Sequence, residues 1–144
     1  MKPTDQEIAA NLREVISRLV KILRKEIKTD ERLSMTERST LGLIYRNGEM
    51  LPSELAMMEK VTNQSMSQII NKLSKVGYIH KKHSKTDKRK VLITISAKGK
   101  KSVEEKRHAS QEWLAKIMNE KISEKEKGIL VNAIVVLTKL VDSK

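Results

Sequence analysis

The apolar residues in the first part of the chain repeat with the period of an α-helix. They stand four, three, four and three positions apart, at Ile8, Leu12, Val15, Leu19 and Ile22. This spacing puts them on one face of roughly four helical turns. Thr4 is a residue type that caps helix starts. The pattern therefore predicts a first helix over about 5–28.

Three serines mark the starts of later helices. Ser34 and Ser123 are each followed three positions later by a glutamate, which is the spacing of a capping box. Ser96 precedes a long stretch without a helix-breaking residue type other than Gly99. These signals predict helices over about 35–46, 97–120 and 124–142.

Two short helices are predicted between the segment that begins at Ser34 and the segment that begins at Ser96. Pro52 suits the first turn of a helix, whose inward residues would be Leu55, Ala56 and either Met57 or Met58. Thr62 can cap the next helix, predicted over 62–76, and Gly77 can end it. The apolar stripe of this helix consists of Met66, Ile69, Ile70 and Leu73.

A β-hairpin is predicted directly after this helix. Tyr78 to His83 suits one strand, Val91 to Ile95 suits its partner, and the charged segment 84–90 connects them. Phe is absent, so the core must consist mainly of Leu, Ile, Val and Met, which favours helices over an all-β fold. The predicted fold class is mainly α with a small β-hairpin (α+β).

Positive charge is concentrated in one part of the chain. The formal net charge is +12. Residues 71–101 contain eleven Lys and Arg and a single acid, Asp87, which leaves only +2 for the remainder. A localised excess of this kind is typical of a nucleic-acid-binding surface. The alternative is an ordinary solvated basic face.

Several other classes of protein are not favoured by the sequence. We expect no enzyme, because no nucleophile–base pattern or Gly-rich phosphate loop is present. No cofactor or metal is predicted, because there is no Cys and His80, His83 and His108 lack a nearby carboxylate cluster. Without a membrane-length apolar run or a signal-like start, we expect no membrane partner and a cytoplasmic location.

Two short helices followed by a hairpin predict a winged helix-turn-helix. In this motif the second helix enters the major groove of DNA and the hairpin, or wing, reaches the flanking backbone or minor groove. We predict DNA contacts from helix 62–76, the preceding helix and wing 84–90. The predicted DNA-binding residues are Ser53, Thr62, Asn63, Gln64, Ser65, Ser67, Gln68, Asn71, Lys72, Lys85, Asp87, Lys88, Arg89 and Lys90.

The acid in the wing has a predicted structural role. Asp87 lies two residues before Arg89, close enough for a carboxylate–guanidinium pair. A guanidinium held in this way loses less freedom when it enters a groove. As an exposed ion pair it would add little to stability.

At these residues the chain resembles the MarR family of bacterial transcriptional regulators, from about residue 8 to 141. The motifs that carry the resemblance are SELA at 53–56, NKLSKVGYI at 71–79 and DKRKVLITISAKGK at 87–100. Three positions depart from the family pattern. Lys60 stands where Gly is common, Leu51 where Thr or Ser is common, and Gln68 where many relatives have Arg.

The resemblance implies a homodimer that reads a pseudopalindromic operator in double-stranded DNA. Residues 1–30 and 97–144 would form the helical dimerisation region, and 31–96 the DNA-binding lobe. We expect a repressor, with activation as the open alternative. A basic architectural or RNA-binding winged-helix protein without a defined operator is the alternative function.

The resemblance also implies a small-molecule effector. Ile16, Tyr45 and Trp113 are the candidate pocket residues. The alternative is that each belongs to the ordinary apolar packing, and both interpretations stay open.

Overall fold

The computed structural model describes residues 1–27 and 32–142. Over these residues the chain forms six helices and one two-stranded antiparallel hairpin, which confirms the predicted fold class. The elements in chain order are α1 (Asp5–Glu26), α2 (Met35–Asn47), α3 (Pro52–Glu59), α4 (Asn63–Lys75), β1 (Ile79–His83), β2 (Val91–Ile95), α5 (Ala97–Lys121) and α6 (Glu124–Asp142).

The predicted caps fix where the helices begin. The hydroxyls of Thr4 and Ser34 accept hydrogen bonds from backbone N–H groups three residues ahead, at 3.2 and 3.1 Å. Ser123 does the same at 3.2 Å, and at all three sites a glutamate carboxylate accepts from the N–H of the capping residue. Ser96 Oγ accepts from the N–H of Gly99 at 3.0 Å. Each cap satisfies an N–H group that the helix itself leaves unpaired.

Some predicted boundaries are wrong by a few residues. α1 ends at Glu26, with Ile27 already extended, and position 28 of the predicted helix lies outside the described residues. Tyr78 lies outside both α4 and β1, in the turn that joins them. Its N–H bonds to the carbonyl of Leu73 at 2.9 Å, and Gly77 adopts φ +82°. This is a Schellman-type helix end, which needs the left-handed conformation that Gly adopts freely.

The buried core is a single apolar cluster. Apolar side chains from five elements pack in this cluster, namely from α2, α3, α4, β1 and β2. The largest fully buried side chains include Ile44, Leu55, Met66, Leu73 and Ile93. A pair of backbone hydrogen bonds, of 3.1 and 2.8 Å, joins Met50 to Ile93 and ties the segment before α3 to the hairpin. The two-helix motif and the hairpin therefore share one core.

The predicted inward position of Met57 or Met58 is wrong. Both side chains are exposed, at 77% and 52%, whereas Leu55 and Ala56 are buried. α3 has eight residues, or roughly two turns. Leu55 and Ala56 occupy the side of these two turns that faces the core, so both methionines lie outside it.

The chain divides into two compact units. Met1–Arg107 contains the core and the hairpin, and His108–Lys144, described here as far as Asp142, contains the later part of α5 and α6. Every described residue of α1 and α6 is exposed or half-buried. The division into a lobe at 31–96 and a dimerisation region at 1–30 and 97–144 stays a prediction.

Candidate nucleic-acid interface

α4 separates an apolar side from an entirely polar one. Met66, Ile70 and Leu73 are buried in the core. At 100° per residue, Gln64 and Gln68 fall about half a turn around the helix axis from these residues. All the predicted DNA-binding residues of this segment, from Thr62 to Lys72, are exposed, and so is Ser53 in the first turn of α3.

The hydroxyls at the start of α4 are engaged with each other. Thr62 Oγ1 accepts from the Ser65 N–H at 3.0 Å and donates to Ser65 Oγ, also at 3.0 Å. This cap satisfies one of the free N–H groups at the helix start. Thr62 and Ser65 therefore stabilise the first turn of α4, and their hydroxyl groups are less available to a ligand.

One hydrogen bond joins the polar helix to the hairpin. Lys81 Nζ, on β1, donates to Asn71 Oδ1, on α4, at 2.8 Å. The bond brings the predicted major-groove face and the base of the predicted wing together on one surface of the lobe. The sequence pattern does not single out Lys81 as a DNA-binding residue, although Lys81 is one of the eleven cations of residues 71–101. The path of the chain through Gly77 decides that Lys81 faces α4.

The wing loop is organised by its own short hydrogen bonds. Ser84 N–H donates to the Lys90 carbonyl at 2.9 Å, and Lys90 N–H donates to the Asp87 carbonyl at 3.0 Å. His83 Nδ1 lies 3.0 Å from the carbonyl oxygen of Lys88. These contacts close the loop without an apolar residue, and they leave the side chains of Lys85, Lys88, Arg89 and Lys90 exposed.

The predicted Asp87–Arg89 pair is present. Arg89 Nε and Nη2 donate to the two carboxylate oxygens at 3.2 and 3.5 Å, and the Arg89 N–H donates to Oδ1 at 3.1 Å. The side-chain bond from Arg89, followed by its backbone bond, lowers the pKa of Asp87 below its usual 3.8. A lowered pKa keeps the pair charged above that value and breaks it only as the pH falls through the lowered pKa.

The cations of the wing differ in how free they are. The Arg89 side chain is 92% exposed despite its bond to Asp87, and Lys85, Lys88 and Lys90 are exposed as well. Lys82, one position beyond the Asn71 partner, forms an ion pair with Glu49. The free positive charge therefore lies at the tip of the hairpin, and the lysines at its base make contacts within the protein.

The three candidate pocket residues lie in different surroundings. Ile16 on α1 is exposed. Tyr45 on α2 is half-buried. Its hydroxyl donates to Glu104 at 3.1 Å, and the guanidinium of Arg107 lies 4.5 Å from its ring centre. The bond to Glu104 raises the Tyr45 pKa. Trp113 is half-buried in the second unit. The pocket stays a prediction.

Residues 1–27 and 32–142 contain neither a metal-binding cluster nor a membrane-spanning helix. No three His, Cys, Asp or Glu side chains in this part of the chain come together in a way that would hold a metal ion. No helix in the same residues is both long and apolar enough to cross a membrane.

Comparison with known proteins gives consistent matches to DNA-binding regulators. The MarR family profile matches residues 33–91. An uncharacterised HTH-type transcriptional regulator of Mycobacterium leprae (strain TN) is 31% identical over 142 residues, which covers 99% of this chain and 98% of the relative.

Solved structures extend the match to the fold. A crystal structure of a Pseudomonas aeruginosa PA01 protein superposes with a TM-score of 0.85 at 28% identity, covering 99% of this chain and all of the other. Streptococcus pneumoniae FabT in complex with DNA superposes with a TM-score of 0.70 at 20% identity, covering 96% of this chain and 98% of FabT. At the lower identity the likeness concerns the fold alone.

Proposed function

Because the chain belongs to the MarR family of transcriptional regulators, we propose that it is a homodimer that binds duplex DNA of defined sequence. α4 enters the major groove, and wing residues 84–90 lie on the flanking minor groove or backbone. The observation that carries the proposal is the bond between Asn71 and Lys81. It joins a polar helix face to a cationic hairpin on one surface, as a two-part grip on a double helix requires.

The two parts divide the work of binding. The first nine residues of α4, from Asn63 to Asn71, carry no charge, whereas the wing tip carries Lys85, Lys88, Arg89 and Lys90. Cations supply affinity for any phosphate backbone, and polar groups in the groove supply discrimination between bases. FabT, which has the same fold, was crystallised with DNA, and this supports DNA as the partner.

Asp87 acts in this scheme as a positioning residue. Its carboxylate holds both the side chain and the backbone N–H of Arg89, so the guanidinium is oriented before DNA arrives. Pre-ordering reduces the entropy that binding would otherwise cost. The carboxylate itself is repelled by phosphate, so its presence at the wing tip is explained by orientation and not by direct attraction.

The homodimer is supported by apolar surface that one chain leaves open. α6 exposes Ile129, Val131, Ile134, Val135, Val136, Leu140 and Val141, and α1 exposes Ile8, Val15, Ile16, Leu19 and Ile22. Faces of this size on a soluble chain mark an interaction surface. A two-fold dimer would cover them with their own copies and would set the spacing between two α4 helices.

The spacing between the two α4 helices of the dimer offers a means of regulating DNA binding. A repressor bound at its operator blocks access to the DNA beneath it. A small effector would release it by binding more tightly to a dimer whose α4 helices stand at the wrong spacing, because a ligand shifts an equilibrium only through such a difference in affinity.

A basic architectural or RNA-binding protein is the second candidate function, and the concentration of charge in the wing favours it. The two candidates differ in specificity. A regulator binds a selected duplex at least about a thousand-fold more tightly than a random one, whereas an architectural protein binds both alike. Competition by random duplex as effective as competition by the selected sequence would exclude the regulator.

The wing assignment is tested by titrating a selected duplex at several salt concentrations. Arg89→Ala removes a phosphate contact, so the slope of log affinity against log salt should fall by about 0.9 for each bound wing. Asp87→Asn removes one negative charge from each wing yet should weaken binding, by about two- to five-fold, because Arg89 loses its charged partner. Lys116→Ala, in the exposed part of α5, is the control for loss of a charge elsewhere.

The Asp87→Asn result separates positioning from simple attraction. If charge alone governs the wing, this variant binds more tightly than the unaltered protein. An unchanged slope and affinity for Arg89→Ala would contradict the assignment of the wing to DNA.

A further inference from the structure

The side of α4 opposite the core offers two free amides. Gln64 and Gln68 are one helical turn apart and exposed, and they lie about half a turn around the axis from Met66 and Ile70. Because recognition helices contact base edges through their N-terminal residues, these two side chains stand where bases would be read.

The neighbouring polar groups are already partly used. Thr62 and Ser65 bond to each other in the helix cap. Asn71 Oδ1 accepts a hydrogen bond from the Lys81 ammonium, which occupies one of the two lone pairs of this oxygen. On this side of α4, which the structure describes in full, Gln64 and Gln68 are the amides that no neighbouring side chain engages.

Cations are absent from the same stretch. Between Asn63 and Asn71 the sequence has no Lys or Arg, and the first cations of α4 are Lys72 and Lys75, in its last turns. Lys72 and Lys75 are therefore better placed for phosphates than for bases. The stretch consequently lacks the guanidinium or ammonium group that usually reads guanine through O6 and N7.

Resting on the proposed function, we propose that Gln64 and Gln68 each read an adenine in the major groove, so that the base pairs contacted by α4 are A·T and not G·C. The glutamine NH₂ donates to adenine N7, and Oε1 accepts from the adenine N6 amino group. Guanine presents two acceptors at this edge, so the glutamine carbonyl would face O6 without a hydrogen. The rise between the two residues is about 6 Å, equivalent to roughly two base-pair steps.

The first experiment selects bound duplexes from a random pool with the full-length protein. The unaltered chain should enrich A·T pairs at two positions in each half-site. Gln68→Arg should change one of these positions from A to G, and Gln64→Arg should change the other. Lys75→Arg, a conservative change on the same helix, should leave the motif as it is.

The second experiment changes the DNA base and first measures binding by the unaltered protein. Replacing a selected adenine by 7-deazaadenine removes N7 and leaves base pairing intact. The unaltered protein should lose affinity, by at most the roughly 5- to 150-fold that a whole bidentate base contact is worth, because one of its two hydrogen bonds is removed. The same replacement should cost little once the matching glutamine is changed to Ala.

The outcomes of these experiments distinguish the adenine assignment from the proposed function on which it rests. An enriched palindrome with G·C pairs at the contacted positions, or one unaffected by both Gln→Arg variants and by 7-deazaadenine, overturns the adenine assignment and leaves sequence-specific binding standing. A pool with no enriched motif overturns the proposed function and the adenine assignment together.

Discussion

Lys60 holds a backbone conformation that its residue type does not favour. It lies between α3 and α4 with φ 56° and ψ 43°, in the left-handed region. The Val61 N–H bonds to the Ala56 carbonyl across this turn at 3.0 Å. In this conformation the Cβ atom of a side chain lies too close to a backbone carbonyl oxygen, which costs roughly 1–2 kcal/mol of stability. Gly has no Cβ atom and avoids this clash.

Replacing Lys60 by Gly should therefore stabilise the protein. The relief of strain exceeds the added flexibility of the unfolded chain, so the free energy of unfolding should rise by about 0.5–1 kcal/mol. Urea unfolding at fixed protein concentration measures it. Lys60→Ala keeps a Cβ and serves as the control. If the Gly and Ala variants are equally stable, the strain is not significant.

Local contacts at the residue scale were predictable, and distant ones were not. The Asp87–Arg89 pair follows from a separation of two residues in a tight loop, and the sequence alone indicated it. The bond between Asn71 and Lys81 depends on how Gly77 redirects the chain from α4 into β1. The angle between α4 and β1 is set by packing of the whole lobe. The sequence pattern therefore did not indicate which lysine of the hairpin would face α4.

At the scale of elements, the junction between the wing and α5 depends on close approach of two backbones. Gly99 is buried in the first turn of α5. A Cβ there would lie 2.2 Å from the carbonyl oxygen of Tyr78 and 2.9 Å from Cγ1 of Ile95. The Ser96 hydroxyl, which accepts from Gly99 N–H, also donates to the Gly77 carbonyl at 2.6 Å. Any side chain at position 99 must push α5 away from the hairpin.

Gly99→Ala should consequently lower the free energy of unfolding by roughly 1–3 kcal/mol, the usual cost of overpacking. Gly42→Ala is the matched control, because a Cβ there would meet only the Arg46 side chain, at 3.7 Å. That change should stabilise α2 by about 0.5–1 kcal/mol through helix propensity. Unfolding curves for the two variants that shift in the same direction would show that the Tyr78 contact does not limit position 99.

Helix starts were easier to predict than the face that a short helix buries. Five predicted caps are present because each depends on a side chain and a backbone N–H three residues apart. The inward side of α3 was only partly predicted. With two turns and a run of apolar residues, its sequence is compatible with more than one buried face, and the packing against α2 and α4 decides between them.

At the scale of the whole molecule, the exposed faces of α1 and α6 predict a dimer. Sedimentation at micromolar concentration should give twice the chain mass of 16.5 kDa. Ile134→Glu puts a charge on the apolar face of α6 and should shift the protein towards monomer, because an unpaired buried charge is costly. Lys125→Glu, an exposed position in the first turn of the same helix, should not. A monomeric unaltered chain would contradict this assignment.

The central claim is that the polar face of α4 and the tip of the wing touch the same DNA duplex. Since the chain has no Cys, a single introduced thiol is a unique reporter of its own position. Gln68→Cys, Lys88→Cys and the control Lys116→Cys can each be alkylated with and without a selected duplex. The account predicts that DNA slows the reaction at positions 68 and 88 and leaves position 116 unchanged. Bound DNA that protects only one of positions 68 and 88, or neither, would contradict it.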